Sequence, residues 1–271
     1  MKALPRIPVR FTSGLKHEPP TPYLGEELVS IPTDAGVLWM PKSDDVMRPY
    51  LEKHGTWEPE EAELLGQFFR PGLRFLDVGA NVGYFSLLVG ARCPGAEIHA
   101  FEPHPLTSRV LALNAWNSRA DITPHALALS DGERILALTT AEHNLGDTRT
   151  SAGSSGSMLS PAAPLDDVLP HARFDLVKID VQGFEAEVIA GMAGMIARTP
   201  QVVIVAEFWP SALRERGLDP VEVLRSHQAA GLEVRVQVER DLATKTPREI
   251  VSICDSAGPA GQVNLVLTRK S

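Results

Sequence analysis

Asp77, Gly79 and Gly83 in FLDVGANVGYF, Glu102 in AFEPHP, Lys178 and Asp180 in VKIDVQG, and Glu207 in AEFWP are the residues whose types and spacing suit a reaction centre. An apolar run that delivers an acid and then two glycines reads as a strand turning tightly into a helix, the edge where open α/β sheets hold ligands. The second strand ends in Glu102, whose carboxylate is placed to accept from both hydroxyls of a ribose. Together these residues imply a nucleoside cofactor. A dinucleotide fingerprint needs G-x-G-x-x-G, and Asn81 stands where its second glycine belongs, so no pyrophosphate is cradled. An acid before the turn suits the ammonium and sulfonium of S-adenosylmethionine, while amides at the helix start suit its carboxylate. Asp77, Gly79, Ala80, Asn81, Tyr84, Glu102, Pro103 and Asp180 are the expected cofactor contacts.

Displacement at an activated methyl carbon asks for alignment and exclusion of water, and a hydroxyl acceptor also needs help losing its proton. Lys178, Asp180 and Glu207 lie at the carboxyl ends of neighbouring strands, and strand alternation puts Lys178 and Asp180 on one face. Asp180 reads as the base or as a cofactor contact, with a helix N-cap as its structural alternative. Glu207 reads as a second acid at the reaction centre or as an ion-pair partner of Lys178. Asp180 and Glu207 are also candidate ligands for a divalent cation such as Mg2+. His143 is a further candidate base, with Asn144, Trp57 and Trp209 as candidate acceptor contacts and Phe208 as an apolar wall. His125 reads as core.

The surrounding pattern is strand, helix, strand, helix from Leu73 onward, with RFLDV, AEIHAFEP, a strand near ITPHALAL, FDLVKID and QVVIVAEF as apolar runs. Continuous apolar strands imply a mostly parallel sheet covered by helices on both faces. EPEEAELLGQFF, VGYFSLLVGARC, LTSRVLALNAWN, FEAEVIAGM and residues 211–230 read as helices, and LEVRVQV and QVNLVLT as terminal strands. The expected architecture is α/β and seven-stranded, with the last strand antiparallel and ILALTT an extra strand. Residues 1–56, rich in proline, read as an irregular arm holding only short possible strands, LVSIP and GVLWMP, ahead of one domain over 57–271. SAGSSGSMLSPAAP, residues 151–164, reads as a long loop, either a mobile lid or simple disorder.

Several of these segments together resemble the FkbM family of methyltransferases over roughly residues 50–235: GTWEPEEAELL, FLDVGANVGYFSLL, AFEPHP, HALALSDGE, HNLG, FDLVKIDVQGFEAEVIAGM and VVIVAEFWP. The resemblance implies a class I, Rossmann-like methyltransferase fold and O-methylation of polyketides, sugars or other secondary metabolites. Gln182 departs from the glutamate usual in the family at that position. The other readings kept open by the residues are a nicotinamide-dependent reductase and a methyltransferase fold that only binds.

Composition is that of a globular chain, with 44% hydrophobic and 22% charged residues in 271. The net charge of −8, from 26 basic and 34 acidic residues, disfavours a nucleic-acid acceptor and leaves a small molecule as the expected partner. No apolar run reaches membrane-spanning length, no secretory signal opens the chain, and Cys93 and Cys254 lack disulfide or zinc spacing. A cytoplasmic enzyme with buried thiols and no membrane partner is expected.

Overall fold

The computed structural model describes residues 25–141, 144–151 and 158–270, with 139–141 and 144–151 as backbone only. The chain opens with β1 (Leu28–Thr33) and β2 (Gly36–Pro41), a hairpin, followed by α1 (Met47–His54) and α2 (Pro59–Gly66). Then β3 (Arg74–Val78), α3 (Tyr84–Arg92), β4 (Glu97–Phe101), α4 (Pro105–Asn117) and β5 (Asp121–His125) alternate. A second sheet follows, from β6 (Ala128–Leu129), β7 (Arg134–Ala141), β8 (Asn144–Ser151) and β9 (Met158–Ala163). The alternation resumes with α5 (Leu165–Val168), β10 (Leu176–Ile179), α6 (Glu185–Gly191), α7 (Ala193–Arg198), β11 (Val203–Phe208), α8 (Pro210–Glu215) and α9 (Pro220–Ala229). It closes with β12 (Leu232–Val238), β13 (Asp241–Ala243), α10 (Pro247–Ser256) and β14 (Val263–Arg269).

The main sheet has eight strands in the order β13-β12-β14-β11-β10-β3-β4-β5. β5, β4, β3, β10 and β11 run parallel, while β14 inserts antiparallel between β11 and β12. The expected mostly parallel α/β sheet with an antiparallel last strand is therefore present, and β13 adds an edge strand that the sequence reading lacked.

The strand period of two sorts the apolar side chains into two cores. Leu76, Val177, Ile179 and Ile204 pack on one face under α6, α7 and α9. Phe75, Leu176 and Val205 pack on the other, with Phe85 and Leu88 of α3, Leu64 and Leu65 of α2, and Leu38 and Met40 of the hairpin. Lys178 lies two residues from Leu176 and Glu207 two from Val205, so both fall on this second face.

Four local expectations are corrected. From Gly25 onward the arm is regular, since the hairpin buries Ile31, Leu38 and Met40 against the main core and α1 adds Met47 and Leu51. Its two candidate strands thus become a hairpin once a buried face is available. The strand near ITPHALAL is two strands in different sheets, β5 and β6. The helix expected over 211–230 breaks at Gly217, which has φ 77°, and restarts at Asp219, whose side chain accepts from the Val221 amide at 2.8 Å. Of the expected loop 151–164, Met158–Ala163 is strand β9 paired with β7, and residues 152–157 lie outside the described residues. Among the described residues no helix is long and apolar enough to cross a membrane.

Candidate functional site

The strand ends of β3, β4, β10 and β11 open into a cavity of about 320 Å³. Its floor is the turn after β3. Gly79 has φ 80°, and a Cβ there would sit 1.8 Å from the carbonyl oxygen of Asp180, so only glycine lets β3 and β10 close together at this point. Asn81 follows with φ 50°, a left-handed conformation that asparagine tolerates better than most residues. The amides of Gly79 and Ala80 donate to the Phe101 carbonyl at 2.9 and 3.0 Å, and that of Asn81 to Glu102 at 2.8 Å. These three donors are used inside the chain, which locks the turn against β4. The Asn81 Oδ1 is buried with no partner at the cavity wall.

Glu102 accepts from the amides of Asn81 and His104 and from the Thr107 hydroxyl, the last at 2.8 Å. Burial raises its pKa against the pull of those donors. Because each carboxylate oxygen accepts two bonds, one acceptor position on Oε2 remains beside the cavity. Asp77 does not line the cavity. It is buried beneath the floor, where the Ser86 hydroxyl donates to Oδ2 at 2.6 Å and Oδ1 has no partner. Burial raises its pKa, opposed by Lys178 and Ser86. The contact expected between Asp77 and the cofactor is thus not one that this arrangement presents directly.

Lys178 is 1% exposed and organises the acidic side of the cavity. Its Nζ donates to Asp180 Oδ2 at 3.1 Å, pairs with Glu61 Oε2 at 3.6 Å and lies over the Phe85 ring at 4.7 Å. Burial alone would depress its pKa, but Asp180, Glu61, Asp77 and Glu58 outweigh that and hold it well above its ordinary value. The alternation that placed Lys178 and Asp180 on one face is realised as this contact. Asp180 does not cap α6: the N-cap position is Phe184, and Glu185 instead accepts from the amides of Gly183 and Val181 at 3.0 and 3.4 Å. Glu207 lines the cavity with Oε2 buried and unpartnered. Burial, then Asp180 and Glu185, push its pKa well above the ordinary carboxylic value, with Lys178 opposing.

Trp57 and Trp209 both line the cavity. Trp57 meets Tyr50 edge to face at 5.4 Å, and the Trp209 indole donates to the Pro259 carbonyl at 2.8 Å. Pro103 and Tyr84 border the cavity as well, but the Tyr84 hydroxyl donates to Asp34 at 2.7 Å and meets Thr56 at 3.1 Å. Tyr84 therefore ties the hairpin to α3. His143 lies outside the described residues, and Asn144 is placed only as backbone in β8. His125 sits away from the cavity, 2.9 Å from His99 and stacked on Phe101, with burial lowering its pKa to about 4.

The structure adds residues that sequence reasoning did not single out as site residues. Glu58 lines the cavity and Glu61 is buried behind it, both from the start of α2, while Gln182 lines it from the turn after β10. Leu136 and Leu138 of β7 give an apolar wall from the second sheet. Glu58 carried one local signal, an acid directly before the proline that opens α2. Among the described residues, no group of three or more His, Cys, Asp or Glu side chains is arranged to hold a metal ion. Asp180 is engaged by Lys178, and at 3.5 Å by the Gln182 amide, while burial favours the neutral form of Glu207. The pair does not fit the magnesium site expected of it.

The profile described as a methyltransferase FkbM domain matches residues 77–231. The chain is 28% identical over 210 residues to the AMB antimetabolite synthetase AmbE of Pseudomonas aeruginosa, covering 62% of this chain and 10% of that protein. It is 38% identical over 74 residues to the 31-O-demethyl-FK506 methyltransferase FkbM of Streptomyces tacrolimicus, covering 27% and 28%. It is 25% identical over 201 residues to the hexuronic acid methyltransferase AglP of Haloferax volcanii, covering 73% of each. The matches thus span 10% and 28% of the first two relatives' own lengths.

Proposed function

The chain belongs to the FkbM methyltransferase family; from that premise we propose that it is an S-adenosylmethionine-dependent methyltransferase that methylates a hydroxyl oxygen of a small molecule, with Glu207 as the group that takes the proton. The residues present suit the cofactor: Asn81 offers an orphaned acceptor at the cavity wall, and Glu102 keeps one acceptor position for a ribose hydroxyl. When bound, S-adenosylmethionine supplies a methyl group activated by the adjoining sulfonium. Pro103 and the apolar wall of the second sheet suit the nucleoside, and Trp57 and Trp209 suit the acceptor.

The observation that carries the oxygen reading is Glu207, an acid with a buried, unpartnered oxygen at the cavity and a pKa displaced upward. A base works best with a pKa near the working pH, and an ordinary surface carboxylate is too weak for an alcohol. Glu207 would take the hydroxyl proton of the acceptor as the acceptor oxygen accepts the methyl group that the cofactor supplies. Lys178 holds Asp180 beside it and limits the build-up of negative charge. Two relatives' names point the same way, one giving 31-O-demethyl-FK506 and the other a hexuronic acid, as what is methylated.

The test is the pair Glu207→Gln and Asp180→Asn, which keep shape and remove charge. Turnover in Glu207→Gln falls about 10²- to 10⁴-fold, the usual cost of losing a general base, while cofactor affinity is kept. Near-full activity of both variants at saturating cofactor and acceptor would remove these acids from the chemistry.

A further inference from the structure

We propose that Glu58 receives the α-ammonium of S-adenosylmethionine, the place that the sequence pattern gives to Asp77. This rests on the reading of the cavity as the cofactor site. Asp77 is enclosed under the floor with one oxygen on Ser86, whereas Glu58 lines the cavity itself. Asp180 and Lys178 both act on Glu58 electrostatically, and the Asp180 carbonyl is the atom against which Gly79 packs. Glu58 therefore stands at the glycine-turn end of the cavity, where the amino-acid portion of the cofactor belongs if its ribose meets Glu102.

The backbone of Glu58 points the same way. It has φ 42° and ψ 63°, a left-handed conformation, directly before Pro59. A side chain is strained there, and a following proline disfavours helical conformations further. Glycine would relieve the first of these, yet the chain places an acid. Such strain collects at working sites.

Glu61 and Lys178 support that acid from behind. Glu61 is fully enclosed, and burial raises its pKa well above the ordinary carboxylic value; burial and then Asp180 raise that of Glu58 as well, opposed by Lys178 and by the hydrogen bond with Glu61, so an ammonium at the cavity would add to the groups that favour its ionised form. Lys178 is taken by Asp180 and Glu61, and no Lys or Arg among the described residues forms an ion pair with Glu58. A cationic ligand group would complete it.

The experiment is calorimetric titration of the full chain with two nucleosides. S-adenosylhomocysteine carries the ammonium, and 5′-methylthioadenosine keeps the nucleoside and sulfur but has no amino-acid portion. In Glu58→Gln, affinity for S-adenosylhomocysteine should fall about tenfold to a hundredfold, with methylthioadenosine changed by no more than about twofold. Glu58→Gly should show the same selective loss while its thermal midpoint rises, which separates a lost contact from a damaged fold. Unchanged affinity in Glu58→Gln overturns the proposal, as does an equal loss for both nucleosides. A selective loss in Asp77→Asn with none in Glu58→Gln also overturns it. If the wild-type chain binds neither nucleoside, the cofactor reading of the cavity falls and takes this proposal with it.

Discussion

Replacing Gly79 by alanine tests how tightly the glycine turn joins β3 to β10. At φ 80° an L side chain costs about 1–2 kcal/mol in backbone energy alone. The added Cβ would also lie 1.8 Å from the Asp180 carbonyl oxygen and 2.9 Å from its carbon. Those are backbone atoms on a buried neighbouring strand end, so the strands must separate, and overpacking of this kind costs about 1–3 kcal/mol more. The sum, about 2–5 kcal/mol, corresponds to a thermal midpoint lower by roughly 5–15 °C in a chain of this size. Gly217→Ala is the control, since Gly217 has φ 77° and no atom within 4 Å of the added Cβ, so it bears only the backbone cost. Thermal unfolding by circular dichroism gives the difference, and calorimetry below the transition should show weakened cofactor binding in Gly79→Ala alone. Equal midpoints and equal binding in the two variants would refute the close approach on which the cavity floor is built.

Three further outcomes follow from buried groups. Glu185 has its pKa raised by burial to about 7, against an unfolded value near 4.5, so its contribution is fully present below the unfolded value and is lost as pH rises through the folded one. Across that window the loss is at most about 3 kcal/mol, and Glu185→Gln should flatten stability against pH in denaturant melts between acidic and mildly alkaline conditions. Tyr84→Phe removes the hydroxyl that joins Asp34 and Thr56 and should cost about 1.5–3 kcal/mol, with faster hydrogen exchange in β1 and β2 than in β3. Because the Glu207 carboxyl must be ionised to accept a proton and burial raises its pKa, the transfer rate should climb with pH through a value above the ordinary carboxylic range; stopped-time assays on Glu207→Gln should lack that limb.

The central strands were legible because parallel strands buried on both faces are written as unbroken apolar runs, as in RFLDV, FDLVKID and QVVIVAEF. The acids that end those strands were legible for the same reason, since neighbouring strand ends must meet at one edge. α10 went unread although its signal was local: Thr246 and Glu249 form a capping box around Pro247, a pattern that marks a helix start in TPRE. β6 was hard to read because it has only two residues and pairs with β9, and β9 because it gains its sheet from β7 and β6. The roles of Glu58 and Glu61 could not be read locally, because they depend on how α2 docks over Lys178. The inward turn of Asp77 is likewise set by Ser86 on α3, a contact that only the packed βαβ unit creates.

The most direct test of hydroxyl methylation supplies S-adenosylmethionine carrying a ¹³C-labelled methyl group, with a panel of hydroxyl-bearing sugars and polyketides and matched amines and thiols as acceptors. Carbon-detected NMR and mass spectrometry then locate the label. The account predicts a labelled methyl ether on a hydroxyl acceptor, formed by the wild-type chain and nearly lost in Glu207→Gln. Label found on nitrogen or sulfur, or an ether formed equally well by Glu207→Gln, would contradict it.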